Sequence, residues 1–439
     1  MPPGTVPLTA VDKVLKFVDE HEDTSLATGG ILVVNGAAPD LAALRDHVGS
    51  RLDQAPVLAF GLDRATVCWK RQGPGFDVRQ HVGERVLEPG DDPMAAVLDL
   101  PDLSHGRPLW DLTVLHGYAP GEYMVCYRTH HMFQDGSSLF ATLEALFGRR
   151  RLPLPSVPVP RGGAPVPRGG APARGRARRT DARESAARTS RLVKSILTDP
   201  GIPLRRRVPW LPNQQPVSGD CVFRVVDLDI KQLQEVARAA QATVNQVCLA
   251  TITGAFRMWT PREWQEPHRR RDLTIWVPVN LRPADRAGAL SNSVGVLPVT
   301  LACGRSSPRE HLRQVMEQTS EQRIRTHRDR GRLLAGTPFP VARRLIYRFL
   351  DPGLVSACVS TLRVAPRLSV LGDPVRTVLA VPAMTPIQRL IVAIVQYETS
   401  VTVCILAEKS LTADSSPTTP DHLGKLCGEA LAALHRAYT

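Results

Sequence analysis

The sequence predicts a mixed α/β protein whose second half repeats the style of the first, and three observations carry that expectation. Apolar residues at helical spacing alternate along the chain with short runs rich in Val, Ile and Leu. A Pro-, Gly- and Arg-rich stretch from Arg151 to Arg179 breaks this pattern. The style of the first half then returns in the second. The expected organisation is a first lobe over 1–150, a flexible linker over 151–215 and a second lobe over 216–439.

In the first lobe, Thr9 with Asp12 three residues on marks a helix start ahead of Val11, Val14, Leu15 and Val18. Gly29–Val34 reads as a buried strand. A helix is expected over Ala37–Leu52, capped by Asp40 and striped by Leu41, Leu44, Val48 and Leu52. Thr113–Leu115 and Glu122–Thr129 read as an antiparallel pair around Ala119-Pro120-Gly121, and Gly136–Phe147 as a helix.

In the second lobe, Val222–Leu228 is a strand and Asp229–Ala240 a helix. Thr243 and Gln246 form a capping box opening the helix Val244–Trp259. Strands follow at Leu273–Val279 and Val294–Thr300, then one amphipathic helix over Pro308–Arg325. Leu390–Tyr397 and Val401–Ala407 form a hairpin, and Pro420–Ala437 closes the chain as a helix.

The 439 residues are 43% hydrophobic and 22% charged, a balance that excludes global disorder. No apolar run reaches the ~18 residues of a spanning helix. The opening Met1-Pro2-Pro3-Gly4 stretch lacks the pattern of a secretory signal. The eight cysteines are scattered, without CxxC or Cys/His clusters, which argues against a zinc site and a disulfide scaffold. A cytoplasmic protein with reduced thiols and no bound metal is expected.

The net charge of +13 suggests nucleic acid until it is located: Arg149–Arg191 holds 12 Arg and two acids, a balance of 12 − 2 = +10. The remainder, with 55 − 12 = 43 basic and 42 − 2 = 40 acidic residues, is nearly neutral. Within the basic run VPRGGAP occurs twice, at Val159–Pro165 and Val166–Pro172, and no aromatic interrupts it to offer a stacking platform. A specific nucleic-acid partner is therefore not expected. The run reads as a solvated tether, or as a dock for an acidic carrier protein or an anionic membrane surface.

The chemistry concentrates in Tyr127-Arg128-Thr129-His130-His131-Met132-Phe133-Gln134-Asp135-Gly136. The strand ending here should turn the two histidines in opposite directions, so only one can occupy a reaction centre while the other braces the backbone. An imidazole titrating near neutrality suits general-base work. Asp135 could orient that imidazole or lock the turn by pairing with a distant Arg. Gly136 is expected to take a backbone conformation that other residues resist.

His130-His131-x-x-x-Asp135-Gly136 resembles the signature of the condensation-type acyltransferase superfamily, which includes chloramphenicol acetyltransferase. Pro108-Leu109-Trp110, Pro7-Leu8-Thr9-Ala10-Val11-Asp12, Thr243-Val244-Asn245 and Val277-Pro278-Val279-Asn280-Leu281-Arg282 with Ser291-Asn292 resemble elements of its bacterial wax ester synthase/diacylglycerol acyltransferase branch. The resemblance implies two chloramphenicol acetyltransferase-like lobes, each a mixed sheet with flanking helices, and an active-site tunnel at their interface. It implies His131 as general base, His130 as support, Asp135 as a structural residue paired with Arg282, and Gly136 as room for the acyl donor.

Asn245, Asn292, Trp110, Gln134, Ser360 and Thr361 are the candidates for the tunnel. Capping or turn chemistry remains the alternative for Asn245 and Asn292, and packing for Trp110. No cofactor is implied; the acyl thioester, on coenzyme A or a phosphopantetheine carrier protein, is a co-substrate. The acceptor is an alcohol or an amine, and a silent docking protein of the same fold is the remaining alternative. Departures fall in the second half, where Ser360-Thr361-Leu362-Arg363 stands in place of an SNVPGP-like element and Gln246 in place of Asp. These leave storage-lipid and specialised-metabolite esters both open, with peripheral membrane contact if the acceptor is a lipid.

Overall fold

The computed structural model describes residues 4–22, 24–73, 75–155, 174–199, 201–215, 219–266, 270–282, 290–385, 388–412 and 419–439. The first half begins with β1 (Thr5–Pro7), α1 (Ala10–His21), β2 (Ala27–Asn35) and α2 (Leu41–Ser50). It continues through β3 (Phe60–Asp63), β4 (Cys68–Arg71), β5 (Val82–Val86) and α3 (Pro93–Leu98), then β6 (Trp110–His116), β7 (Glu122–His130) and α4 (Gly136–Phe147). A helix α5 (Arg174–Leu197) leads to β8 (Cys221–Leu228), α6 (Ile230–Ala240) and α7 (Val244–Trp259). Next come β9 (Leu273–Asn280), β10 (Val294–Leu301), α8 (Pro308–Gln318), α9 (Glu321–Ala335) and α10 (Phe339–Leu350). The chain ends with β11 (Ala357–Arg363), β12 (Ser369–Val370), β13 (Asp373–Val381), β14 (Leu390–Tyr397), β15 (Ser400–Glu408) and α11 (Pro420–Tyr438).

Two six-stranded mixed sheets form the lobes, in the orders β12-β13-β2-β7-β6-β5 and β10-β9-β11-β14-β15-β8. Local chemistry sets the helix starts. Thr9 and Asp12 close a capping box on α1, Thr243 and Gln246 close one on α7, and Asp40, Asp135 and Asp229 each cap a helix through a side-chain oxygen. The turn before β7 uses Gly121 at φ +68°, a left-handed value glycine tolerates without a Cβ clash. One apolar core fills the first lobe and runs on to the facing side of the second sheet through Phe223, Ile391, Ala393, Val395 and Leu406. A second core, under α6, α7, α8 and α11, covers that sheet's far side.

The structure corrects several expectations. The helix from Pro308 breaks at Thr319-Ser320 into α8 and α9, and α2 starts at Leu41 rather than Ala37. The second lobe is not confined to its own sheet: β13 pairs antiparallel with β2, adding a strand to the first lobe. Described parts of the expected 151–215 linker are packed rather than solvated. Leu192 and Ile196 of α5, with Ile202, are buried against Leu333, Leu334, Leu345 and Phe349, and Trp210 is fully buried between Phe256 and Trp259. Burying these side chains offsets the ordering entropy that the Pro/Gly-rich composition suggested would dominate. The tandem VPRGGAP repeat lies outside the described residues. Among the described residues no helix is long and apolar enough to cross a membrane.

Candidate active site

The central strand β7, flanked by β2 and β6, is buried from Tyr123 through His130 and delivers the two histidines to its end. The main chain then turns sharply. The His131 amide donates to the Leu26 carbonyl at 2.8 Å, and the Phe133 amide returns to the His130 carbonyl at 2.8 Å. Asp135 ends the turn and caps α4, accepting from the Ser138 amide at 3.1 Å.

The second lobe grips this turn. Arg282 donates to Asp135 Oδ2, the Ser293 amide donates to the same oxygen at 2.8 Å, and both ion-pair side chains are almost wholly buried. Burial alone would raise the Asp135 pKa; the Arg282 charge and the main-chain donors outweigh it and hold the carboxyl below its usual 3.8. The Ser291 amide donates to the Phe133 carbonyl at 2.9 Å, and Trp69 Nε1 donates to Ser291 Oγ at 2.8 Å. Ser291 itself sits at φ +74°, an unfavourable value for a non-glycine residue that these contacts hold in place. Asn292 Nδ2 donates to the His131 carbonyl at 2.6 Å and to Asp12 Oδ1 at 3.0 Å. Asp12 is fully buried; desolvation raises its pKa, opposed by the Asn292 and Thr9 donors.

The two histidines differ in their commitments. His130 Nδ1 accepts from the Met132 amide at 3.1 Å, so the proton of the neutral ring must lie on Nε2, which meets Asp19 Oδ1 at 2.9 Å. Both nitrogens are engaged, and no lone pair is left for a substrate proton. His131 keeps part of its surface exposed, and its buried Nδ1 has no hydrogen-bond partner among the described residues. Burial lowers its pKa below 6.5, opposed by its own carbonyl and the negative charge of Asp135. A neutral, uncommitted imidazole at neutral pH can accept a proton.

The other sequence candidates divide. Asn292 is brought to the site as the strut beneath His131. Ser360 alternates onto the face of β11 shared with Cys358 and Leu362, which packs toward the first lobe. Thr361 falls on the opposite face with Val359, toward the second core, so it leaves the tunnel set. Gln134 is fully buried and satisfied, accepting from Tyr127 Oη at 2.7 Å and donating to Thr142 at 2.8 Å. Trp110 is packing: it stacks on His81 at 4.3 Å and donates to the Leu58 carbonyl. Asn245 is exposed in the first turn of α7, which packs mainly on α6, α8 and α11 of the second lobe, and no contact brings it to the His131 turn among the described residues.

Gly136 does not adopt a positive φ; it is the first residue of α4, where a Cβ would meet Leu362 at 3.7 Å, an ordinary contact. Neither backbone strain nor a clash at the Cβ position accounts for the glycine. Sequence reasoning missed Asp12 and Asp19 as site residues. Seven apart on α1, they share one face, and the signal was acids interrupting the apolar Val11, Val14, Leu15, Val18 pattern. No group of three His, Cys, Asp or Glu able to hold a metal occurs among the described residues.

Two facing mixed sheets, with a histidine at the end of the central strand of one and a clamp from the other, define the two-lobed condensation-type acyltransferase fold. Known proteins agree with this assignment. The wax ester synthase/diacylglycerol acyltransferase catalytic-domain model matches residues 8–248 and the corresponding C-terminal domain model residues 290–434. The chain belongs to the wax ester synthase/diacylglycerol acyltransferase family and is an acyltransferase. A probable diacylglycerol O-acyltransferase of Mycobacterium tuberculosis is 25% identical over 93% of this chain and 92% of its own. The wax ester synthase/diacylglycerol acyltransferase from Marinobacter aquaeolei VT8 superposes with a TM-score of 0.65 at 18% identity, covering 98% of this chain and 99% of that one. The starter condensation domain of rhizomide synthetase, solved with C8-CoA, gives a TM-score of 0.60 at 15% identity, covering 99% and 94%.

Proposed function

We propose that this chain transfers an acyl group from a coenzyme A thioester to the hydroxyl of a lipid alcohol, forming an ester, with His131 as the general base. The observation that carries the reading is the contrast between the two histidines: His130 has both nitrogens engaged, and His131 is neutral, partly accessible and uncommitted. His131 takes the proton of the acceptor hydroxyl as its oxygen attacks the thioester carbonyl. The tetrahedral intermediate then expels the thiolate, which recovers the proton from the imidazolium.

Support for an apolar substrate comes from a cavity of about 160 Å³ lined mainly by apolar side chains such as Leu192, Ile196, Trp276 and Phe349, with His327 and Arg330 as its charged or titratable members. Val11 and Val294, which also line it, are the sequence neighbours of Asp12 and Ser293, which take part in the clasp on the His131 turn. The coenzyme A donor draws support from the C8-CoA complexed with the rhizomide synthetase domain, and the lipid alcohol from the names of the mycobacterial relatives. Imidazole catalysis of this kind needs no resident cofactor or metal ion, so a chelator should leave turnover unchanged.

The test is mass spectrometry of products from acyl-CoAs of graded length, and from an acyl-carrier thioester, offered to long-chain alcohols, diacylglycerol and amines. Ester from acyl-CoA and a lipid alcohol is expected. Amide alone, or ester from the carrier thioester alone, would replace this reading.

A further inference from the structure

Two buried polar atoms at the reaction centre stand without a hydrogen-bond partner among the described residues: Nδ1 of His131 and Oδ1 of Asn292. An unmade bond on a buried polar atom costs free energy, so such atoms are rare and call for an explanation. The pair is complementary. A neutral imidazole that carries its proton on Nδ1 is a donor there, and an amide oxygen is an acceptor.

The two residues are already joined. Asn292 Nδ2 donates to the carbonyl of His131 itself at 2.6 Å. Asp12 holds the same residue from the other lobe: its Oδ1 accepts from Asn292 Nδ2 at 3.0 Å and from the Asn292 main-chain amide at 2.9 Å. Asp12 is anchored in turn at the start of α1, where its Oδ2 accepts from the Thr9 amide at 2.7 Å. The three oxygens that Nδ2 meets, the Met132 carbonyl at 3.3 Å among them, are all acceptors. The amide therefore cannot turn over, and Oδ1 is fixed on its opposite side.

The competing acceptor for a proton on Nδ1 is the carbonyl of His131, which already accepts from Asn292 Nδ2. Burial lowers the His131 pKa; its own carbonyl, the Asp135 charge and the Asn292 side chain oppose this, and His130 adds to it. A neutral side chain raises an imidazole pKa by accepting a bond from the protonated ring, which is the part Oδ1 can play.

We propose that Asn292 is a positioning residue for the reaction: as His131 takes the acceptor's proton on Nε2, its Nδ1–H donates to Asn292 Oδ1, and Asp12 holds the amide for that bond. The bond keeps the lone pair of the neutral ring on Nε2, and it then meets the positive imidazolium with the oxygen end of a dipole. Hydrogen bonds to catalytic groups often close fully only in the complex with substrate, so an unmade bond is consistent with this role. The proposal rests on His131 as the base and adds what orients its ring.

The test is nitrogen NMR of the full chain labelled at histidine, with His131→Ala marking the resonances of that ring, followed by pH profiles of variants. At neutral pH the His131 ring should carry its proton on Nδ1. Asn292→Ala should lower kcat about tenfold or more, with KM within about threefold. It should also move the acid limb of kcat/KM to lower pH, because the imidazolium loses an acceptor. The exchange of Asp12→Asn with Asn292→Asp keeps an amide opposite a carboxylate but brings the charge to the ring. It should move the same limb upward by about one pH unit. A strut that held only the main chain would lower the melting temperature and leave the limb in place. A ring protonated on Nε2, or a limb unmoved in both variants, would overturn the proposal. The NMR result is read on the parent chain, so it decides the matter even where a variant fails to fold. Activity retained in His131→Ala would sink the general-base reading itself, a failure seen in a different variant.

Discussion

The unit β6–β7–α4 in the first lobe and the unit β14–β15–α11 in the second are built alike: a hairpin whose second strand feeds a helix. They differ in what joins strand to helix. In the first, residues 131–135 make the whole connection, and the other lobe holds them at the His131, Met132, Phe133 and Asp135 positions. In the second, residues 409–419 intervene, and the strand ends on Glu408, a buried acid, rather than on a histidine. A short connection fixed from two sides can hold an imidazole in place without engaging its ring. The second lobe instead supplies the clamp, from the connection between β9 and β10. Similar architecture thus serves chemistry in one lobe and positioning in the other.

The largest effect expected from breaking this contrast is at His131. His131→Ala should lower kcat by about 10²–10⁴-fold with the melting temperature little changed. His130→Ala should reduce both activity and stability, since it severs the contacts to Asp19 and the Met132 amide. Equal kcat losses with equal melts in the two variants would erase the distinction between base and brace.

Next is the clasp. Asp135→Ala or Arg282→Ala leaves one buried charge unmatched and should cost about 3–5 kcal/mol of stability as well as turnover. The double variant should cost less than the sum of the two. Melts unchanged in both single variants would contradict a structural ion pair.

Acidification sharpens the comparison further. The base must be neutral, and burial lowers the His131 pKa, so the acid limb of kcat/KM should lie below 6.5. His81 and His327, lowered to about 4 by burial, weaken the fold as pH falls from 6.5 toward 4, because the unfolded chain then binds more protons. Asp135, with its folded pKa below 3.8, contributes stability above that value, which is lost only as pH falls through the lowered one. Initial rates should therefore decline reversibly while the Asp135 clasp is still intact. An acid limb above 6.5 would count against His131 as the base.

The smallest effect on chemistry is expected at the matching point of the second lobe. Glu408→Gln should lower the melting temperature, since a buried charge and its partners are altered, while kcat stays within about twofold. A large kcat loss there at an unchanged melt would mean that both strand ends take part in the reaction.

Much of the fold was legible because its signals are local. Thr9, Asp40 and Thr243 cap the helices they announced, and the hairpins at residues 119–121 and 398–400 join strands with clear apolar runs. The elements missed are those whose partners are remote. β13 completes the first sheet from more than 340 residues along the chain. Helix α5 was hidden in a run whose composition reads as solvated, because few of its described side chains, Leu192 and Ile196 among them, turn inward.

By itself the sequence determined the two-lobed α/β plan, the helix starts and the stretch from Tyr127 to Gly136 as the chemical centre, because capping, periodicity and motif spacing act over a few residues. Only the tertiary structure decided which histidine is spent on the backbone and which is left uncommitted. It also decided that Gln134 is spent on Tyr127 and Thr142, that Asn245 lies exposed in the first turn of α7, and that Asp12, Asp19 and Asn292 hold the turn. A hydrogen bond forms over about 3 Å in space whatever the separation in sequence, so these commitments exist only once the lobes have met.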